Sequence, residues 1–261
     1  RGPLSSKKQR KEPHVEGRWP VLVHIPLPSA SVAEIDAATE PLLPCLSSEH
    51  THTWHSTGGE FSSASMHVSL SRVLYVWEAA LPDFTQRVAA ALGEPGGQRQ
   101  FTAALQGGRI LPGEGGASSF LAATFTPHAA ACVGKLIAAV DEVCRACGQP
   151  SYHTVRQDPL PHVSVAWAQG DACKLWPGPG SSVTAPAGHA QSQALVTYSS
   201  SSSSDHEGEK CEQDSRGAVA SGTLQAAVGC WEAAVADISW TVREVAIRVG
   251  RHTKKRVQLP A

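Results

Sequence analysis

The chain has 261 residues, enough for one large domain or two small lobes around a sizeable core. Its content of 41% hydrophobic and 17% charged residues excludes a wholly disordered chain and a coiled coil, and its 22 basic against 23 acidic residues exclude a uniformly basic nucleic-acid coat protein. No stretch approaches the roughly 18 uninterrupted apolar residues of a membrane helix, and seven scattered cysteines are unlike a secreted disulfide scaffold, so we expect a soluble protein of a reducing compartment.

The hydrophobic pattern alternates along the chain between the period of a strand and the period of a helix. In the first half of the chain, the pattern predicts a buried strand at 20–27, a helix that begins at a capping box of Ser31 and Glu34, and a polar loop at 47–64. A strand region at 65–77 follows, and then a helix with Pro82 in its first turn and Gly93 at its end. The second half predicts a hairpin (99–105 with 119–125), a helix (127–147), a strand (161–167), a helix around Trp231 and a strand around Ile247. Because the order strand-helix-strand occurs twice, we expect an α+β fold of two halves.

Two segments have compositions that cannot build a core. Residues 1–18 are basic with almost no apolar side chain, and residues 176–220 are rich in Pro, Gly and Ser. We therefore predict a flexible basic arm at 1–18, one two-lobed domain formed by 19–175 and 221–261, and a disordered insertion at 176–220. The arm fits a nuclear-import signal or an RNA contact as well as a solvated tail.

The letters HVS occur twice, each time in a predicted strand, once beginning at His67 and once at His162. Because side chains at i and i+2 of a strand lie on the same face, His67 shares a face with Ser69, and His162 shares a face with Ser164. One such motif is most simply a strand histidine beside a surface serine. Two matched copies indicate that both histidines and both serines converge on one cleft between the halves.

Two imidazoles and two hydroxyls in one cleft suit the cleavage of a phosphodiester. An unperturbed imidazole titrates near pH 6.5, so one ring can remove a proton while the other donates one. In RNA the ribose 2′-OH already lies close to the phosphorus, and it can serve as an internal nucleophile without a metal-activated water. Neutral hydroxyl donors can bind the non-bridging oxygens as negative charge builds there.

Four segments carry a resemblance to a known family: GRWPVLVHIPL at 17–27, HVSLSR at 67–72, RQDPLPHVSVAWAQGD at 156–171 and the terminal GRHTKKRVQLP. They resemble the U6 small nuclear RNA phosphodiesterases, the Mpn-type 3′–5′ exonucleases, within the 2H phosphoesterase superfamily. The resemblance covers most of 17–171 and 222–260. It implies a bilobal α+β fold, in which two pseudo-twofold-related lobes of antiparallel strands with flanking helices enclose a central cleft.

The resemblance also implies roles for individual residues. It makes His67 and His162 the catalytic acid/base pair and assigns Ser69 and Ser164 to the phosphate.

The nucleotide pocket follows from the same resemblance. Leu160 and Pro161 are expected to line it, and Arg156 stands where the family can place an aromatic side chain that stacks on the terminal base. A guanidinium plane can also stack on a base, and nearby Tyr152 is a second candidate for that contact.

The resemblance implies a metal-independent 3′–5′ RNA exonuclease that trims the 3′ oligouridine tail of U6 snRNA by 2′-OH attack and leaves a 2′,3′-cyclic phosphate or a 3′ phosphate. It implies no cofactor, a nuclear location, no membrane partner and a monomer. The basic residues 254–256 fit contacts with the RNA backbone. Two alternatives stay open: another 2H phosphoesterase that opens 2′,3′-cyclic phosphates, and a non-catalytic RNA-binding module.

Two cysteine and histidine clusters compete with this interpretation. Cys144 and Cys147 form a lone CxxC, which core packing of a helix explains better than a zinc or redox site. His50, His52 and His55 could gather a metal ion, but a solvated loop explains them better, so we expect no metal site.

Overall fold

The computed structural model describes residues 15–48, 53–57, 66–94, 96–113, 116–153, 160–173, 176 and 213–261. The strands are β1 (Arg18–Pro26), β2 (Trp54–Ser56), β3 (His67–Ser69), β4 (Leu74–Trp77), β5 (Phe101–Pro112), β6 (Ser118–Phe125), β7 (His162–Gln169), β8 (Ser239–Val242), β9 (Glu244–Val249) and β10 (His252–Gln258). The helices are α1 (Ser29–Thr39), α2 (Leu42–Ser48), α3 (Leu81–Gly93), α4 (Pro127–Ala146) and α5 (Gln213–Ala236).

Within the described ranges, ten strands form one curled antiparallel sheet, a half-barrel. The strand order is β10-β9-β1-β3-β7-β6-β5-β8, with β2 added beside β7 and β4 beside β1. Helices α3 and α4 pack together, while α5 packs on β5 and contacts α1 and α2. The predicted α+β fold of two halves is confirmed, and the two HVS strands, β3 and β7, lie where the halves meet.

The hydrophobic pattern places most of the core correctly. Phe84, Val88 and Leu92 form the buried face of α3, as their spacing predicts. Helix α4 begins after Thr126, whose hydroxyl accepts a hydrogen bond from the Ala129 N–H at 3.5 Å.

Two local predictions were wrong. Helix α1 begins at Ser29 after Pro28, and Ser31 is buried inside its first turn instead of capping it, because the fixed φ of the proline starts the helix earlier. The predicted loop 47–64 contains the end of α2 and the strand β2. The basic C-terminal segment, to which the sequence analysis assigned no element, is the strand β10 on the edge of the sheet, where charged side chains remain solvated.

The structure also differs from the predicted insertion at both of its ends. Trp176 is buried, with its ring edge-on to Trp231 at a centroid distance of 5.6 Å. Helix α5 already begins at Gln213. The average composition of 176–220 is that of a linker, and this average does not show that Trp176 joins the core or that the last residues of the segment form a helix. Residues 177–212 and 1–14 lie outside the described residues.

Candidate active site

The candidate site lies at the centre of the sheet, where the two HVS strands pair with each other. Val68 of β3 lies opposite Val163 of β7 in an antiparallel pair, and both valines are buried. Because successive side chains of a strand point to opposite faces, the residues on either side of each valine lie on the other face of the sheet.

The antiparallel pairing places each histidine across from the serine of the other motif. His67 lies opposite Ser164, and Ser69 lies opposite His162. Directly opposed Cβ atoms lie about 4.5–5.5 Å apart, and the two histidines, which are diagonal neighbours, lie about 7–8 Å apart. All four residues are half-buried. The sheet therefore holds two imidazoles and two hydroxyls around a space of phosphate size.

The imidazole of His162 is oriented by the backbone. Its Nδ1 lies 2.8 Å from the carbonyl oxygen of Leu160, which can only accept a hydrogen bond, so Nδ1 carries a proton. Nε2 is then the ring nitrogen that can take up a proton. Leu160 and Pro161, which the resemblance assigns to the nucleotide pocket, are half-buried. The carbonyl of Leu160 fixes the tautomer of His162.

A third histidine, which the sequence analysis did not single out, lies beside the pair. His24 of β1 lies opposite Ser69, and its ring is edge-on to that of His67 at a centroid distance of 5.2 Å. Only 8% of His24 is exposed, and its Nδ1 has no hydrogen-bond partner among the described residues. The sequence signal is a lone histidine in the otherwise apolar strand VLVHIP.

His24 is neutral at neutral pH. Its pKa is lowered from 6.5 to about 4, first by burial and then by the positive charges of His67, Arg248 and Arg256, while the Leu22 backbone acts in the opposite direction. The wall of the site on the β1 side is therefore an uncharged ring.

Cations occupy the same face of the sheet beyond His24. Arg256 of β10 lies opposite Ala246 of β9, which in turn lies opposite His24. Arg248 lies two residues from Ala246 along β9, so the two side chains share this face. Arg256 is exposed and pairs with Glu244. Arg248 is half-buried.

A further cation lies on the β5 side of the site. Arg109 is opposite Ala122 of β6, and Ala122 is opposite Ser164. Arg109 is exposed. The two serines and two histidines therefore lie between arginines on both sides, which is the charge pattern that a polyanion requires.

A family model described as HVSL, an uncharacterised conserved protein, matches residues 3–255. The chain belongs to the HVSL family. In this member the letters HVSL are residues 67–70, which include the first HVS motif. The comparison with curated proteins gives no match.

Solved structures share the fold of this HVSL-family chain. Usb1 of Kluyveromyces marxianus is 15% identical, with a TM-score of 0.54 over 93% of this chain and 98% of Usb1. E. coli LigT in complex with 3′-AMP is 12% identical, with a TM-score of 0.50 over 94% of this chain and 99% of LigT. These likenesses confirm the predicted fold.

Arg156, which the sequence singles out, lies outside the described residues. Tyr152 packs against the core. Cys144 is buried in α4, where burial raises its pKa to about 12, so its thiol is unreactive at neutral pH. Of the three histidines in EHTHTWH, only His55 is described, and its ring lies 4.8 Å from that of Trp167.

The described residues contain neither a candidate metal site nor a candidate membrane span. In the part of the chain that the structure describes, no group of three or more His, Cys, Asp or Glu side chains is placed to hold a metal ion. Among the described helices, none combines the length and apolar character needed to cross a bilayer.

Proposed function

We propose that this HVSL-family protein is a 3′–5′ RNA phosphodiesterase that removes nucleotides from the oligouridine tail of U6 snRNA. One observation supports the reaction above all: the pairing of β3 with β7 brings two histidines and two serines onto one face, with each histidine opposite a serine. The sequence resemblance supports the substrate. A nuclear location and a monomeric state belong to the same proposal.

The reaction uses the two histidines in opposite protonation states. A neutral imidazole takes the proton of the 2′-OH on the penultimate nucleotide, and the 2′-oxygen attacks the adjacent phosphorus. The bond from phosphorus to the 5′-oxygen of the terminal nucleoside breaks, and the protonated second imidazole donates its proton to that oxygen. The shortened RNA ends in a 2′,3′-cyclic phosphate. With the roles of His67 and His162 exchanged, water can open that cyclic phosphate to a 3′ phosphate.

The serines stabilise the charge that develops during the attack. In the pentacoordinate phosphorane-like state the non-bridging oxygens gain negative charge, and hydroxyl donors fixed in a half-buried site stabilise it more than they stabilise the ground state. Because Ser69 lies opposite His162 and Ser164 lies opposite His67, each hydroxyl is placed beside the imidazole of the other strand.

The test is a denaturing gel of a 3′-oligouridylated RNA incubated with the protein in EDTA. Stepwise shortening is expected, and it should stop at a penultimate nucleotide that lacks the 2′-OH. Conversion of the end group alone would indicate an enzyme that opens cyclic phosphates, and an unchanged RNA would indicate a binding module.

Variants assign the activity to the site. His67→Ala and His162→Ala should each abolish shortening, and the double variant should be little worse than either, because the two groups act as one unit. His128→Ala, at an exposed position of α4, is the control for loss of an imidazole elsewhere. A single variant with near-wild-type activity would contradict the two-histidine mechanism.

A further inference from the structure

Arg248 differs from four arginines whose partners are described. Arg87, Arg145 and Arg256 each pair with a carboxylate and are largely exposed. The half-buried Arg18 donates a hydrogen bond to the Tyr75 carbonyl oxygen and lies over the rings of Tyr75 and Trp77. Arg248 is half-buried in the sheet and has no hydrogen bond or ion pair with any residue that the structure describes. Burial lowers its pKa below the ordinary value, with no opposing contact. A desolvated guanidinium without a counter-charge is costly to retain unless an anion binds to it.

The location of Arg248 is close to the reacting centre. It lies opposite Leu22 of β1, two residues along that strand from His24, on the face that carries the histidines. From a strand spacing of about 4.8 Å and a rise of about 3.3 Å per residue, its Cα lies about 8 Å from the Cα of His24. The effect of both Arg248 and Arg256 on the pKa of His24 shows that both charges act across this short distance.

The residues next to Arg248 on its own strand face and across the strands carry no charge. Its neighbours across the strands are Leu22 and Thr253, and the next residue on its face of β9 is Ala246. The one carboxylate on this stretch of the face, Glu244, is held by Arg256 and Gln258.

We propose that Arg248, with Arg256 beside it, forms a subsite that binds a second phosphate group of the substrate, next to the phosphate that is cleaved. The inference rests on the proposed function and names a substrate determinant for it. Two sources carry this chemistry: the backbone phosphate on the 5′ side of the scissile one, and a terminal 3′ phosphate. A guanidinium binds either by paired, charge-assisted hydrogen bonds.

The experiment measures binding to dinucleotides that cannot react. The ligands are UpU, pUpU and UpUp, each with a 2′-deoxy first uridine, so that no internal nucleophile is present. The two longer ligands carry the same additional phosphate at opposite ends. Calorimetric titration gives the affinity ratio of each longer ligand to UpU. For the wild type, one of the two ratios should be about tenfold or more, and its identity assigns the source of the phosphate.

Variants connect that ratio to the subsite. In Arg248→Gln the ratio should fall to near one, and in Arg248→Lys, which keeps the charge without the planar fork, it should stay in between. Arg145→Gln, which removes an exposed arginine of α4, should keep the wild-type ratio. Comparison of ratios within one variant removes any general effect on folding or on binding of UpU.

Three results would overturn the subsite. The wild type could bind none of the ligands, or it could bind all three with the same affinity. The third result is an Arg248→Gln variant that keeps the full affinity ratio. Because the ligands do not react, the outcome is separate from that of the RNA cleavage assay. If cleavage fails while the ratio behaves as expected, the proposed reaction is wrong and the phosphate subsite stands.

Discussion

Replacement of His24 by phenylalanine should change how the stability of the protein depends on pH. The imidazole is buried on the face that carries His67 and His162, and its Nδ1 has no hydrogen-bond partner among the described residues, so a phenyl ring, which has one more ring atom, loses little there. The groups that face it and carry charge are His67 on β3, Arg248 on β9 and Arg256 on β10. At neutral pH we therefore expect His24→Phe to be about as stable as the wild type.

In acid the two proteins should diverge. The pKa of His24 is about 4 in the folded protein and 6.5 without the fold, so between these values the unfolded chain binds a proton that the folded chain does not. Stability then falls as the pH is lowered through this range. At pH 5 this linkage removes about 2 kcal/mol from the free energy of unfolding, relative to pH 7.5. The phenylalanine variant lacks this loss.

Urea unfolding followed by tryptophan fluorescence at pH 7.5 and pH 5 measures the difference. The wild type should lose about 2 kcal/mol more than His24→Phe between the two pH values. His252→Gln, an exposed position on β10, is the control, and it should follow the wild type. Parallel losses in the wild type and His24→Phe would refute the conclusion that the buried ring is neutral and hard to protonate.

Four further predictions follow from the structure. Ser69→Ala and Ser164→Ala should each lower kcat on RNA by about 100-fold with little change in KM, and an effect on KM alone would show that the serines bind the ground state. The kcat/KM of RNA cleavage should depend on pH as a bell with both limbs between about 5 and 8, whereas a flat profile would exclude catalysis by paired imidazoles. Gly108→Ala should lower the free energy of unfolding by about 1–3 kcal/mol, because the new Cβ would lie 2.2 Å from a ring carbon of Trp231 on α5. Gly134→Ala on α4 is the control, because no atom lies within 4 Å of its new Cβ, and equal stabilities of the two variants would contradict the overlap. Asp141→Asn should lower the free energy of unfolding by about 1–3 kcal/mol, because the buried carboxylate accepts hydrogen bonds from the backbone N–H groups of Tyr152 and His153 at 2.5 and 3.1 Å. An unchanged urea midpoint would show that the amide of asparagine replaces the carboxylate.

The shared face of each histidine and its serine could be predicted from the sequence because its signal is local. A histidine and a serine two residues apart in a strand share a face whatever the rest of the fold does, and the repeat of that pattern indicates that the two copies act together. The sequence could not show that β3 and β7 are direct neighbours, since strand pairing depends on the arrangement of the whole sheet.

The residues that were missed owe their roles to tertiary packing. The burial of His24 comes from strands β3 and β9 on either side of it, and a single histidine in an apolar strand does not reveal which neighbours it meets. The alternation of β9 predicts that Arg248 lies on the face opposite to Val245 and Ile247. The sequence does not show whether a carboxylate lies next to it. The burial of Trp176 was not predicted, because the segment that contains it has the average composition of a linker.

The pairing of Val68 with Val163 has a consequence for how the protein matures. The strands β3 and β7 are separated by about 95 residues of chain, so a large loop must close before either histidine meets the serine opposite it. A slip of one residue in either strand would turn the histidine of that strand into the core and its valine into the cleft. During refolding, RNA cleavage therefore requires that β3 and β7 have paired in the correct register. The activity should appear later than the helical signal in circular dichroism.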